Sequence, residues 1–200
     1  MQKRIFDIIV ASILLVCTTP IFLVAIIVIN LESRGGALFT QKRLGKNNTI
    51  FKVYKLRTMY KDSSIDNLAA PLLGDKRITK VGKYLRKSSI DELPQLLNVI
   101  KGDMSLIGPR AVPAEEIKMR LEKLIAENPQ EKDMYEEYML VRNSVRPGIS
   151  GMAQAYGRSS LTTLKATELD VYYSKNSSLW LDIKIISKTI QTVLFQRGVN

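Results

Sequence analysis

Asp91 and Glu92 are adjacent carboxylates in a strongly cationic stretch. Arg86 and Lys87 precede them, and Lys101 and Arg110 follow, with Gly and Pro turns that let backbone approach a ligand closely. A carboxylate among cations keeps its negative charge. It can bind Mg²⁺, a hard ion that takes oxygen ligands and often arrives with substrate phosphates. It can also attack phosphorus and form an acyl phosphate. The plain alternative is an acidic helix start, capped by Ser88 or Ser89 and favoured by the helix dipole.

Composition narrows the choice. The chain has 200 residues, no His and one Cys. That excludes His general bases, Ser-His-Asp and Cys-His systems, His-ligated zinc, disulfide frameworks and multi-Cys metal sites. A carboxylate nucleophile is one of the few routes left for phosphoryl chemistry. Arg86 and Arg110 are the first candidates to hold phosphate, because a guanidinium offers a bidentate fork to its oxygens. Arg146 and Lys55 come next. For each cation the competing role is a structural salt bridge or a headgroup contact. Asp103 either caps the Met104 turn or holds an arginine. Tyr54 and Tyr156 could stack on a base, although core packing suits Tyr54 better.

Several elements must position these groups. Residues 37–41 and 49–56 read as two strands around a Gly45-Lys46-Asn47-Asn48 turn, a plausible β-hairpin. Lys80 to Arg86 reads as a short basic helix. Glu92 to Ile100 reads as another, with Pro94 in its first turn and Leu93, Leu96, Leu97 and Ile100 on one side. Glu115 to Ala126, Lys132 to Val141 and Leu164 to Tyr173 are further helices. Arg146-Pro147-Gly148 is a turn, and Ser63 to Asp75 is loop-like. Leu179 to Phe195 is amphipathic, with Leu179, Ile183, Ile186, Ile190 and Val193 in line. Its stripe suits a core or a membrane interface equally, and Trp180 and Lys184 are side chains of interfacial type.

The N-terminus is different in kind. Ile5 to Ile29 is almost wholly apolar, with Asp7 as its one charge. Such a run is long enough to cross a bilayer as a helix. A cleaved signal peptide fits poorly: Val16 is bulky before Cys17, and the apolar run continues past it. Thr19 and Pro20 lie near the middle. Pro20 has no N–H for the Val16 carbonyl, and the Thr18 and Thr19 hydroxyls could cap freed carbonyls and let a kink survive in lipid. Lys3 and Arg4 precede the run, and Arg34, Lys42, Arg43 and Lys46 follow it. A simple span should show one-sided positive charge. Both flanks here look cytoplasmic, which favours a re-entrant helix over a straight span.

The net charge is +11, and residues 1–110 carry 18 Lys and Arg against 8 Asp and Glu. That half therefore faces something anionic: nucleic acid, acidic lipid or phosphate substrates. No nucleic-acid motif appears, and the charge is not gathered on a recognition helix, so no nucleic-acid partner is expected.

The chain resembles the bacterial sugar transferase family, the monotopic phosphoglycosyl transferases, nearly end to end. The resemblance rests on the apolar helix interrupted at Thr19-Pro20, Phe39-Thr-Gln-Lys-Arg-Leu-Gly45, Phe51-Lys-Val-Tyr-Lys-Leu-Arg-Thr-Met59, Ser89-Ile-Asp-Glu-Leu-Pro-Gln95, Lys101-Gly-Asp-Met-Ser-Leu-Ile-Gly-Pro-Arg110, Arg146-Pro-Gly-Ile-Ser-Gly151 and Asp170-Val-Tyr-Tyr173. It implies transfer of a sugar phosphate from a UDP-sugar to a polyprenol phosphate, with release of UMP. It implies Asp91 as nucleophile, Glu92 as its dyad partner, Mg²⁺ at Asp91, ping-pong kinetics and a re-entrant N-terminal helix. Two departures stand out. Ala111 follows Arg110 where many members have proline, which leaves that loop less rigid. Residues 114–144 form a long acidic helical segment that varies in the family.

The resulting expectation is a helix-rich α/β fold with a small β-hairpin. Residues 1–34 form a kinked re-entrant membrane helix and residues 35–200 the catalytic domain, on the cytoplasmic face of a bacterial inner membrane. Expected partners are a UDP-sugar, polyprenol phosphate (undecaprenyl phosphate), anionic lipids and downstream glycosyltransferases. The rival reading is a non-catalytic, membrane-tethered binding or scaffold protein for anionic lipid or a partner enzyme.

Overall fold

The computed structural model describes residues 2–61, 75–157 and 160–194. The loop expected over 63–75 and the end of the last helix at Phe195 therefore fall largely outside the described residues.

Helix α1, Gln2–Glu32, is a continuous α-helix that contains Pro20. The expected break at Thr19-Pro20 does not interrupt it. Thr18 Oγ1 donates to Leu14 O (2.7 Å) and Thr19 Oγ1 to Leu15 O (2.8 Å). The hydroxyls thus bond four residues back, as Thr does in helices, and not to the Val16 carbonyl. Asp7, Ala11, Ala25 and Ile29 are buried, at helical spacing, while most of the apolar surface is exposed.

Strands β1, Leu38–Leu44, and β2, Ile50–Leu56, form the expected hairpin, with Leu44 opposite Ile50 and Leu38 opposite Leu56. Asn47 and Asn48 take positive φ in its turn, a conformation that Asn tolerates better than most residues. Helix α2, Lys80–Lys87, is capped by Thr79, whose hydroxyl accepts from Gly82 N. The Glu32 carboxylate at the end of α1 also accepts from Lys80 N (2.7 Å) and Val81 N (3.0 Å), so α1 and α2 share one cap.

A 3₁₀ turn over Ile90–Glu92 then leads into α3, Gln95–Lys101, which begins three residues later than expected. Its inward side is Gln95, Leu96, Asn98 and Val99, and Leu97 is exposed. Asn98 fills the place of a third strand. Its Oδ1 accepts from Tyr54 N (3.0 Å), and its Nδ2 donates to Lys52 O (2.8 Å) and Asp103 Oδ2 (3.1 Å). Asp103 therefore serves an asparagine, not an arginine. The periodic pattern could not show this, because Asn98 is polar and fully buried.

Two further strands escaped the sequence reading. Strand β3, Ser105–Ile107, and β4, Gly148–Ser150, pair in parallel. At three residues each they are too short to show alternation. Between them lie α4, Ala114–Glu127, and α5, Lys132–Arg142, close to the predicted limits. After β4 come α6, Met152–Tyr156, α7, Thr163–Asn176, and α8, Leu179–Leu194. The architecture is helix-rich α/β with a small hairpin, as expected, and the β3–β4 sheet is an addition to that expectation.

The main core gathers Ala11, Val53, Leu96, Val99, Met104, Ile107, Tyr173 and Ile185. A second core joins Ala25, Ile29 and Ala37 to Leu56 and Leu85. The two ends of α1 therefore pack into two different cores of one body. The N-terminal end is also fixed by polar contacts. Asp7 Oδ2 accepts from Ser105 Oγ (2.8 Å), Lys3 pairs with Asp182, and Arg4 donates to Val99 O (2.6 Å) and Ile100 O (3.0 Å). At the other end, Arg57 donates to Ser33 O and Arg34 O, both at 2.6 Å.

Candidate functional site

The carboxylate pair lies on the 3₁₀ turn between α2 and α3. Ser89 enters this turn with φ of 57° and makes no side-chain cap. Ser88 Oγ donates backwards, to Tyr84 O (2.9 Å) and Leu85 O (3.1 Å). Neither serine caps the acids, so the helix-start explanation of Asp91-Glu92 loses its capping residue. The turn aims two neighbouring carboxyls at the end of β2.

Their surroundings differ sharply. Glu92 Oε1 accepts from Lys55 Nζ at 2.7 Å and lies 3.5 Å from Arg110 Nη2. Burial raises the Glu92 carboxyl, but Arg110 and Lys55 outweigh it and hold the group below its usual range. Asp91 is 8% exposed and forms no ion pair among the described residues. Burial, with the like charge of Glu92, pushes it up to about 6, against the longer-range pull of Lys55 and Arg86. One carboxylate is thus committed to cations, and its neighbour is left uncommitted.

Arg86, in the last turn of α2, donates Nε to Thr58 Oγ1 at 2.8 Å. Burial lowers its affinity for its proton, and Asp91 is the strongest of the charges that restore it. Lys55 comes from β2, and Arg110 from the loop after β3. Three of the four expected cations therefore converge on the dyad. Arg146 does not. It donates Nε to Gly102 O (2.8 Å) just beyond the C-terminal end of α3, beside a cleft of about 380 Å³ lined by Lys46, Phe51 and Asp103 among others. The dyad sits at the opposite end of α3. Tyr54 is half-buried, and its OH accepts from Lys101 Nζ (2.6 Å); exposed Tyr156 has Lys188 Nζ 6.0 Å from its ring centre.

Three residues escaped the sequence reading. Arg43 stands across β1 and β2 from Phe51, on the sheet face that also carries Lys55. It donates to Gln41 Oε1 (2.6 Å) and, more weakly, to Ala111 O (3.4 Å). The hairpin register could have shown that shared face. Arg142 is buried on α5. It pairs with Asp170 of α7 at 2.9 Å and donates to Arg110 O at 2.7 Å. Leu44 N bonds Val112 O at 2.9 Å. The loop expected to be loose without a second proline is therefore tied at 110, 111 and 112. The third residue, Thr58, was legible only as a member of a motif.

This arrangement of a carboxylate pair ringed by cations from a hairpin, a helix and a loop belongs to a chain that comparisons place firmly. The profile of the Bacterial sugar transferase family matches residues 1–196, and the protein belongs to that family. It is 43% identical over 201 residues to an Aeromonas hydrophila protein named UDP-N-acetylgalactosamine-undecaprenyl-phosphate N-acetylgalactosaminephosphotransferase, covering 99% of this chain and 45% of the relative. It is 40% identical to the uncharacterized sugar transferase EpsL of Bacillus subtilis (strain 168), covering 99% and 90%. It is 38% identical to a UDP-glucose:undecaprenyl-phosphate glucose-1-phosphate transferase of Caulobacter vibrioides, covering 97% and 70%. The chain thus spans less than half the length of some relatives and most of the length of others.

Proposed function

We propose that this protein transfers a sugar 1-phosphate from a UDP-sugar to a polyprenol phosphate, at the cytoplasmic face of a bacterial inner membrane. The observation that carries the reading is the unequal pair: Glu92 neutralised by Lys55 and Arg110, and Asp91 buried beside it with no ion pair among the described residues. Neighbouring carboxyls pushed apart in this way take different roles.

In the first step an Asp91 carboxylate oxygen attacks the phosphorus that bears the sugar. The bond from that phosphorus to the bridging oxygen breaks, and UMP leaves with the bond's electrons. In the second step an oxygen of the lipid phosphate attacks the aspartyl phosphate. The Asp91 carboxylate is released, and a polyprenyl diphosphate sugar forms. Glu92 holds Lys55 and Arg110 in place, and Arg86 and Arg110 neutralise phosphate oxygens, which is most of what phosphoryl transfer asks of a protein. One site used twice requires ping-pong kinetics.

Asp91 is also the residue to hold Mg²⁺. No cluster of three or more His, Cys, Asp or Glu side chains stands ready for a cation among the described residues. Mg²⁺ fits such a sparse site, because it binds through one or two carboxylates together with substrate phosphates. When bound, it supplies neutralisation of the diphosphate charge.

Re-entry of α1 is supported by where its ends lie. A 31-residue helix is about 46 Å long and a bilayer core about 30 Å thick, so a straight span would separate its ends across the membrane. Both ends pack instead on the same body. Helix α8 supports seating on lipid: Trp180, Ile183 and Ile190 are exposed, and Lys184 Nζ lies 5.5 Å from the Trp180 ring centre. Ile183 and Ile190 of the predicted stripe face outward, while Ile186 packs against the main core, so α8 offers an apolar edge to lipid and another to the body.

The test is UMP release in nanodiscs containing undecaprenyl phosphate, with Mg²⁺ and a panel of UDP-sugars. Release with one or a few donors, lost in Asp91→Asn, is the expected result. Labelled sugar phosphate trapped on wild type and absent from Asp91→Asn would establish the covalent step. Release by Asp91→Asn at the wild-type rate would overturn the assignment.

A further inference from the structure

Among the described residues, Arg86 has one hydrogen-bond partner to aim it. Its Nε donates to Thr58 Oγ1 at 2.8 Å, and no protein acceptor takes its terminal amino groups among the described residues. We infer that Thr58 is the positioning residue for Arg86: by engaging Nε it fixes the guanidinium plane and leaves both terminal amino groups for the phosphate oxygens at Asp91. This inference rests on the reading of the dyad as a phosphoryl-transfer site.

Thr58 is suited to the task because it cannot move. It is buried. Its carbonyl accepts from Thr79 N at 3.0 Å, and Met59 and Ile78 bridge the same two segments. A Cβ placed on Gly82 would stand 2.1 Å from Thr58 O, so α2 lies directly against this backbone. On its other side, Arg57 grips Ser33 O and Arg34 O at the end of α1. The Thr58 hydroxyl is therefore held between the membrane helix and the helix that carries Arg86. A guanidinium fixed through Nε presents its other two nitrogens as a fork in one plane, the geometry that pairs with two phosphate oxygens. Without that bond the side chain can rotate about its last torsions, and misplacement by about 1 Å costs on the order of 100-fold in rate.

The experiment compares Thr58→Val, Thr58→Ser and wild type for UMP release in nanodiscs, with thermal melting as a fold control. Valine keeps the shape and removes the hydroxyl. A fall in kcat/KM of about 10- to 100-fold for Thr58→Val, with most activity restored in Thr58→Ser, is expected. The decisive reading is a double-mutant cycle with Arg86→Lys. Lysine has no Nε fork to aim, so Thr58→Val should cost less than about threefold in that background. A melting temperature well below wild type for Thr58→Val, with the same loss in both backgrounds, would make Thr58 merely structural and overturn the inference. Full activity of Thr58→Val would also overturn it. If wild type itself releases no UMP, the transferase reading fails; if wild type turns over and the cycle shows no coupling, only the role of Thr58 fails.

Discussion

The burial of Asp91 beside Glu92 is a cost to the fold. The Asp91 carboxyl is raised to about 6, whereas an aspartate in an unfolded chain titrates near 3.8. The folded protein therefore holds that proton more tightly than the unfolded chain does. Between those two values stability falls as pH rises, and above them the loss is complete. Asp91→Asn removes the loss. In EDTA without substrate, the variant should exceed wild type at pH 7.5 by at most about 3 kcal/mol, seen as a higher melting temperature. At pH 4 the difference should close, and equal melting gaps at both pH values would contradict this account. Glu92 behaves in the opposite way. Its charge is held by Lys55 and Arg110, so Glu92→Gln should free those cations and lower turnover while Asp91 remains in place.

At the scale of elements, the site depends on a hairpin edge and a short helix meeting without a shared sheet. Asn98 makes that junction by bonding Tyr54 N, Lys52 O and Asp103. Asn98→Ala removes a fully buried side chain and leaves its backbone partners on β2 unpaired, and should cost about 2–4 kcal/mol in chemical denaturation. Gly82 is the second such point. In Gly82→Ala the methyl group would meet Thr58 O, so α2 must shift away from the segment that follows β2 and carry Arg86 with it. Activity and melting temperature should both fall, with activity more affected than by Asn98→Ala at equal stability. Residues 114–144 gain a role at this scale. Helix α5 contributes Arg142, which with Asp170 of α7 fixes the Arg110 carbonyl.

For the whole molecule, the defining relation is between α1 and everything else. Its N-terminal end is tied to β3, α3 and α8, and its C-terminal end to Arg57, just past β2, and to α2. In a Cys17→Ser background, single cysteines at Gln2 and Arg34 should both react with an impermeant maleimide from the cytoplasmic side of oriented vesicles. Reaction from opposite sides would establish a span. Reaction of both from the cytoplasmic side would put the two ends of α1, and the body on which they pack, on one side of the membrane.

The sequence by itself determined the chemistry available and most of the elements. Absence of His leaves carboxylates as the available nucleophiles for phosphoryl transfer, and the cations of residues 86–110 suit phosphate. The apolar run over 5–29, the hairpin and the longer helices were legible because burial and pairing impose periods on the chain. Short elements carry too few residues to show a period, so β3, β4 and α6 were not. Tertiary structure alone decided which cations serve the dyad. Lys55, Arg86 and Arg110 meet there and Arg146 does not, because the end of α3 at which a side chain lands is set by packing and not by spacing. It also decided the inequality of Asp91 and Glu92. Two adjacent carboxylates are alike in sequence, and they separate only when burial takes one from water and two cations hold the other.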